Sequence, residues 1–337
     1  IKESRVEIGI EDLIKDEEVV VTLTDKGYVK RMAIDTYHSQ RRGGVGVNAT
    51  NTIEDDVIKD MYIAKNLDTL LIFTTKGKVF AIKVYEIPET GKQARGKLIN
   101  NLIKLSEDEK VSTIIKVRAH DEDNRELFFI TKKGIVKKTE ARLFFHINKN
   151  GIRALTLKGE DELTYVGLTS GTKKNEVFIA TRAGFAIRFS EEDVRSMGRT
   201  AAGVKGINLR KDDFVVSAAI VNPETDLDKL SVLTITDEGY GKRTSLKEYK
   251  VQTRGGKGII NLKVNDKTGK IVDVKIVDNE TEIMLITSEG TLIRTKVDSI
   301  SVIGRSTSGV RIMKVRNEEK VASTVKITEE TELEIEK

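Results

Sequence analysis

The sequence predicts an all-β protein made of six similar units, each a four-stranded antiparallel blade, and three observations predict it. An apolar run ending in Thr, two mostly polar residues, Gly and a second apolar run recur six times. The turn glycines Gly27, Gly77, Gly134, Gly184, Gly239 and Gly290 stand 50, 57, 50, 55 and 51 residues apart, the length of a four-stranded blade rather than of a helical repeat. A further apolar run follows the gap in every unit.

The first copy, Val19 to Arg31, shows the design: Val, Leu and Thr fill the flanks, and Asp25-Lys26-Gly27 interrupts them. That is a hairpin signature, with glycine supplying a positive φ that a Cβ would oppose and Thr bonding the backbone at the turn entrance. The other hairpins are Leu70 to Thr74 with Gly77, Leu127 to Thr131 with Gly134, Glu176 to Thr181 with Gly184, Ser231 to Thr236 with Gly239, and Glu282 to Thr287 with Gly290. The further strands are predicted over Val57 to Ala64, Val111 to Val117, Leu163 to Leu168, Val215 to Val221, Val272 to Val277 and Val321 to Ile327. A lone blade cannot bury both faces, so the six are expected to stack face to face, most simply around a ring. Residues 1–327 form this domain in the sequence reading; 328–337, with five Glu, form an acidic tail expected to be disordered. Ile10 to Asp16 and Ser190 to Met197 are the short helix candidates.

The 337 residues contain no Cys, no Trp and two Pro, which excludes disulfides and, with no long apolar run or leader, points to a cytoplasmic chain associated with no membrane. A net charge of +5 is weak evidence for a polyanionic partner by itself. Catalytic signatures are poor. His38, His120 and His146 lie in unrelated contexts without metal-ligand spacing. The glycine-rich stretches at Arg42 and Arg254 lack Gly-Lys-Ser/Thr and precede strand residues, not a helix that would hold a nucleotide phosphate. No catalytic residue, metal or cofactor is expected.

The informative motif lies about fifteen residues after each turn glycine, where glycine stands beside a basic residue. The first copy is Gln40-Arg41-Arg42-Gly43-Gly44-Val45-Gly46; echoes are Ala94-Arg95-Gly96-Lys97, Asn150-Gly151-Ile152-Arg153, Gly203-Val204-Lys205-Gly206, Arg254-Gly255-Gly256-Lys257-Gly258 and Ser308-Gly309-Val310-Arg311. Small residues let backbone amides approach a phosphodiester chain, and Arg and Lys neutralise phosphates, so six copies in register suggest a DNA-backbone surface. The candidate contacts are Gln40 to Gly46 together with a basic rim of Lys30, Arg31, Arg95, Lys97, Lys137, Lys138, Arg188, Lys205, Lys242, Arg243, Arg254, Lys257, Arg294 and Arg311.

Gln40 to Gly46 resembles the Gln-Arg-Arg-Gly-Gly-basic-Gly heptad of the carboxy-terminal domain of the bacterial DNA gyrase A subunit, with Val45 at the basic position. Val19 to Arg31 and Asp35-Thr36-Tyr37 also look like that family's first blade, and the resemblance runs to about Ile327. It implies a six-bladed β-pinwheel whose blades exchange strands. It further implies non-sequence-specific binding and positive-sense wrapping of double-stranded DNA, and partnership with the B subunit of gyrase as well as the remainder of its A chain. In that family the cleaving tyrosine and the ATPase lie elsewhere, so the domain is non-catalytic. The alternatives are the equivalent domain of topoisomerase IV, which usually has a degraded or missing heptad, and a propeller that binds proteins or small ligands through a polar funnel at its centre.

Overall fold

Each described turn glycine adopts the left-handed backbone that its position predicts, with φ of 84° at Gly27, 75° at Gly77, 81° at Gly134, 99° at Gly184 and 78° at Gly239. The threonine before each turn then accepts from the amide four residues on, at 3.0 Å for Thr24, 3.3 Å for Thr74, 3.1 Å for Thr131, 3.2 Å for Thr181 and 3.1 Å for Thr236. Gly290 lies outside the described residues. This computed structural model describes residues 9–33, 56, 58–91, 94–118, 124–147, 149–222, 224–288, 292–315 and 319–327. The acidic tail also lies outside them.

The chain runs through β1 (Glu18–Thr24), β2 (Tyr28–Ala33), β3 (Ile58–Lys65), β4 (Thr69–Thr74), β5 (Lys78–Lys83), β6 (Lys97–Leu98) and β7 (Val111–Val117). It continues through β8 (Glu126–Thr131), β9 (Ile135–Glu140), β10 (Ile152–Arg153), β11 (Leu163–Leu168), β12 (Glu176–Thr181), β13 (Phe185–Ser190), β14 (Val204–Lys205) and β15 (Val215–Val221). The last units hold β16 (Ser231–Thr236), β17 (Tyr240–Ser245), β18 (Ile259–Ile260), β19 (Ile271–Val277), β20 (Glu282–Thr287), β21 (Leu292–Lys296), β22 (Val310–Arg311) and β23 (Val321–Ile327).

Strand exchange is explicit in the sheet orders β3-β1-β2-β6, β10-β5-β4-β7, β11-β8-β9-β14, β15-β12-β13-β18 and β19-β16-β17-β22. Each blade takes three strands from its own unit and a two-residue fourth strand from the next. The sixth blade, β21-β20-β23, has three strands among the described residues. Successive long third strands touch one another from β7 through β11, β15 and β19 to β23, and β23 touches β3, so these strands surround the axis and the blades form a ring. The two-residue strands are therefore outermost.

A hairpin strand sandwiched between blades is buried on both faces, which explains its apolar run. Val19, Val21 and Leu23 pack on Leu70 and Ile72 of the second blade, while Leu71 and Phe73 turn the other way onto Leu127 and Phe129 of the third. The pattern continues with Phe128 and Ile130 on Val177 and Ile179.

The two helix candidates contract to single 3-10 turns, Ile10–Leu13 and Glu191–Asp193. The second is one of a series that follows the hairpin in units two to six, with Val84–Glu86, Ala141–Phe144, Leu246–Glu248 and Val297–Ser299. Such a turn redirects the chain toward the preceding blade in fewer residues than an α-helix needs to nucleate.

Candidate nucleic-acid interface

The path after each 3-10 turn places the basic loops. The chain first runs parallel to the second hairpin strand of the preceding blade, at bridges Arg31 to Glu89, Lys138 to Ser196, Arg188 to Val251 and Arg243 to Val302. It then reverses and returns antiparallel as the outer strand, pairing Val29 with Lys97, Phe185 with Ile260 and Tyr240 with Arg311. The motif of one unit thus lies on the rim of the blade before it.

Glycine opens every described outer strand for a reason other than approach to a phosphate chain. A Cβ on Gly203 would stand 2.4 Å from the Val136 carbonyl oxygen of the adjoining strand, and Gly258 would meet that of Ala186 at 2.5 Å, with φ of 88° and 70° respectively. These glycines let the exchanged strand close onto its host blade. The basic residues beside them are the ones turned outward.

Arg95, Lys97, Lys205, Lys257 and Arg311 are exposed on this rim, as is Arg153. Arg95 lies 3.8 Å from the centre of the Tyr28 ring, and Arg311 stands over Tyr240 while donating to its hydroxyl at 2.9 Å, so aromatic faces at the hairpin tips support two of the cations. Arg254 is half-buried and donates to the carbonyls of Asp193 at 2.8 Å and Lys205 at 3.0 Å, fastening one outer strand to the next. Arg305, which sequence reasoning missed, repeats this contact one unit later by donating to the Ile260 carbonyl at 2.8 Å. Both stand fifteen residues after their turn glycines, as does Arg42, and that shared offset is the signal that would have found Arg305.

The cations at the ends of the second hairpin strands, apart from the exposed Arg294, are buried or half-buried within the blades and not displayed on the rim. Lys30, Lys137, Lys138, Arg188, Lys242 and Arg243 are all buried, because their strands have a neighbour on each side and a blade on each face. Arg188 donates to the carbonyls of Leu246 and Tyr249 at 3.0 Å, and Arg243 to that of Ile300 at 2.7 Å, so each holds the next unit's 3-10 turn. Arg31 does the same at Ile87, at 2.7 Å, and pairs with Glu89 at 2.8 Å. Lys138 pairs with Glu126 at 3.3 Å and Glu191 at 3.8 Å, and Arg294 pairs with Glu282. Burial pulls the Lys137 ammonium down to about 7, with Arg199 adding to the effect, and the Lys242 ammonium down to about 8. The heptad Gln40, Arg41, Arg42, Gly43, Gly44, Val45 and Gly46 lies outside the described residues, as does Asp35 to Tyr37.

At one mouth of the ring axis a shallow cavity of about 370 Å³ touches all six blades, including Lys59, Ser112, Thr164, Val216, Val272 and Ala322. Two of its cations are occupied within the fold, Lys132 by Glu162 at 3.2 Å and Arg182 by Asp237 at 2.7 Å.

The profile of the "DNA gyrase C-terminal domain, beta-propeller" family matches residues 18–65, 68–118, 125–170, 175–222, 231–278 and 281–328, one match for each blade. The chain belongs to this family. It is 44% identical over 315 residues to the DNA gyrase A protein of Lawsonia intracellularis, covering 94% of this chain and 38% of that protein. To the DNA gyrase A protein of Clostridium acetobutylicum it is 44% identical over 336 residues, covering 100% of this chain and 40% of that protein. The chain therefore spans about two fifths of the length of these relatives. Among solved structures, a C-terminal domain of DNA topoisomerase IV matches with a TM-score of 0.77 and 28% identity, covering 95% of this chain and 96% of that one. A DNA gyrase A C-terminal domain matches with 0.75 and 26%, covering 92% and 100%.

Proposed function

We propose that this gyrase C-terminal-domain family member binds double-stranded DNA along its outer rim without reading sequence, bends it, and wraps it in a positive sense for a type II topoisomerase. The observation that supports this most is the repetition of exposed cations on the outer strands of successive blades, at Lys97, Arg153, Lys205 and Arg311, with Arg95 and Lys257 in the loops leading to them. DNA is stiff over about 150 base pairs, and bending it around a small domain costs several kcal/mol, which contacts spread along an arc offset. No base-reading contact is assigned to any of these rim cations, which are suited to phosphates. The partners in this reading, in the cytoplasm, are the B subunit of a gyrase together with the remainder of its A chain; cleavage and ATP hydrolysis belong to them, and no cofactor is assigned to this domain. The heptad Gln40 to Gly46 would drive wrapping, with Val45 contributing no charge.

The test is ligation of nicked plasmid with rising amounts of the protein, followed by linking-number analysis. Positive supercoils in proportion to protein are expected, with log affinity falling against log salt at a slope near about −7 if about eight phosphates are neutralised. Replacing Gln40 to Gly46 by alanines should abolish the linking change while leaving much of the affinity; equal loss of both would sink that division of labour. Salt-sensitive binding without a linking change would support a tether of the topoisomerase IV type. The high structural similarity to a topoisomerase IV domain keeps that reading in view.

A further inference from the structure

Three residues after the turn glycine, the blades alternate in chemistry. Blades one, three and five carry Lys30, Lys137 and Lys242; blades two, four and six carry Phe80, Ile187 and Ile293. The lysines are 4%, 0% and 0% exposed. Their ammonium groups reach the rim from inside. Lys30 donates to the Ala94 carbonyl at 2.9 Å. Lys137 donates to Gly198 at 3.2 Å, Arg199 at 2.5 Å and Ala154 at 2.5 Å. Lys242 donates to Gly304 at 2.8 Å and Arg305 at 2.6 Å, and reaches the Thr307 hydroxyl at 3.2 Å. Apart from Ala154, every acceptor belongs to the basic loop that the next unit lays on that blade. In blades two and four the loop instead rests on an apolar side chain: a Cβ on Gly151 would strike the Phe80 ring at 2.5 Å, and one on Gly256 would touch Ile187 at 3.6 Å.

We propose that Lys30, Lys137 and Lys242 are positioning residues of the DNA path. Each holds, by an ammonium buried in one blade, the backbone of the cation-bearing loop above it, so that clamped loops alternate with loops seated on an apolar side chain. A buried ammonium is a costly way to fill space unless its donors are used; Lys137 spends its donors on two loop carbonyls and that of Ala154, and Lys242 on two loop carbonyls and the Thr307 hydroxyl. Through those carbonyls the lysines set where Arg95, Lys97, Arg199, Lys205, Arg305 and Arg311 stand. They touch no phosphate themselves. The loop carbonyls are only part-buried, so water can replace a lost ammonium there and the blade survives its removal. This inference rests on the proposed DNA rim.

The experiment compares the 337-residue chain with its Lys137→Met/Lys242→Met variant and with Ile187→Met, which alters an unclamped blade. Amide exchange, the salt slope of DNA affinity and the linking-number change per bound protein are measured. Expected in the lysine variant are at least tenfold faster exchange over 198–205 and 304–311, a linking change at least threefold smaller, and an unchanged salt slope, with Ile187→Met like the parent throughout. Exchange equal to the parent's, or an undiminished linking change despite loosened loops, overturns the proposal. So does a slope reduced by about two, which would mean that the lysines contact phosphates directly. If the parent chain itself leaves the linking number unaltered, it is the wrapping function that fails. Positioning is then judged on binding alone: DNA slows exchange over 198–205 and 304–311 in the parent and not in the variant, and equal slowing in both overturns it.

Discussion

The seams between blades are of two kinds. From the first blade to the sixth, each seam buries a broad apolar cluster, as where Phe73 meets Phe129 and Phe144 edge to face between blades two and three and those two tilt against each other, with ring centroids 5.5 to 6.1 Å apart. Where the sixth blade meets the first, the described contact is thin: Met284, Ile286 and Val325 on one side, Val20 and Met32 on the other, and half-buried Met61 against both. Polar groups add to it at the axis. Asp60 of β3 feels the charge of Lys275 on β19, and beside Lys275, outside the closing seam itself, Asp273 accepts from Ser217 of the fourth blade at 2.9 Å and from Thr324 of the sixth. Among the described residues, five seams thus hold by area and shape, whereas the closing seam presents a smaller apolar contact of methionines and aliphatic side chains, so a ring of this sequence is expected to open there first.

The largest expected effect breaks an apolar seam. Phe129→Ala removes a fully buried ring that touches both Phe73 and Phe144, and should cost about 3–5 kcal/mol in urea unfolding. Met61→Ala should cost only about 1 kcal/mol, since the side chain is half exposed, yet it should raise the radius of gyration in solution scattering as the ring opens. If Met61→Ala destabilised as much as Phe129→Ala with no expansion, the two seams would be alike.

A middle-sized effect separates seam from rim. Gly203→Ala puts a Cβ 2.4 Å from the Val136 carbonyl at a φ of 88° and should cost about 1–3 kcal/mol. The damage should be local, with amide exchange accelerated over β14 and unaltered at the seam between Phe128 and Val177. Acceleration across that seam would show that the outer strand supports the blade instead of decorating it.

These contrasts also show what the sequence could disclose. Hairpins and axial strands were legible because period, turn glycine and apolar runs repeat, and their bounds agree to about a residue, as in Val111–Val117 and Leu163–Leu168. The outer strands were not legible from pattern: two residues such as Val204–Lys205 carry no periodicity, and only the family resemblance implied the exchange. Charge was legible as composition and misleading as location. Lys137-Lys138 and Lys242-Arg243 read as a basic surface, but rim loops and 3-10 turns present carbonyls to them at Arg199, Arg305 and Ile300, and long basic side chains are suited to reach those. Lys97 and Lys242 look alike in sequence, and only the strand order distinguishes the outer one from the inner.

The smallest expected effect tests the charge at the closing seam. Burial raises the Asp60 carboxyl above its ordinary value, against the Tyr62 hydroxyl, the Met61 amide, Lys275 and Lys59, all of which favour the carboxylate. A carboxyl whose folded pKa is raised binds its proton more tightly in the closed ring than in an opened one, where water reaches it. Its contribution to closure is therefore complete below its ordinary pKa near 3.8 and is lost as pH rises through the raised value. Amide exchange over β3 and β23, corrected for the intrinsic pH dependence, should be slower in mildly acidic buffer than at neutrality, and Asp60→Asn should flatten the difference because the amide does not titrate. A pH dependence that survived Asp60→Asn would move its origin to another group and leave Lys275 as a tie to Asp273 within its own blade, 3.1 Å away, rather than a tie across the axis.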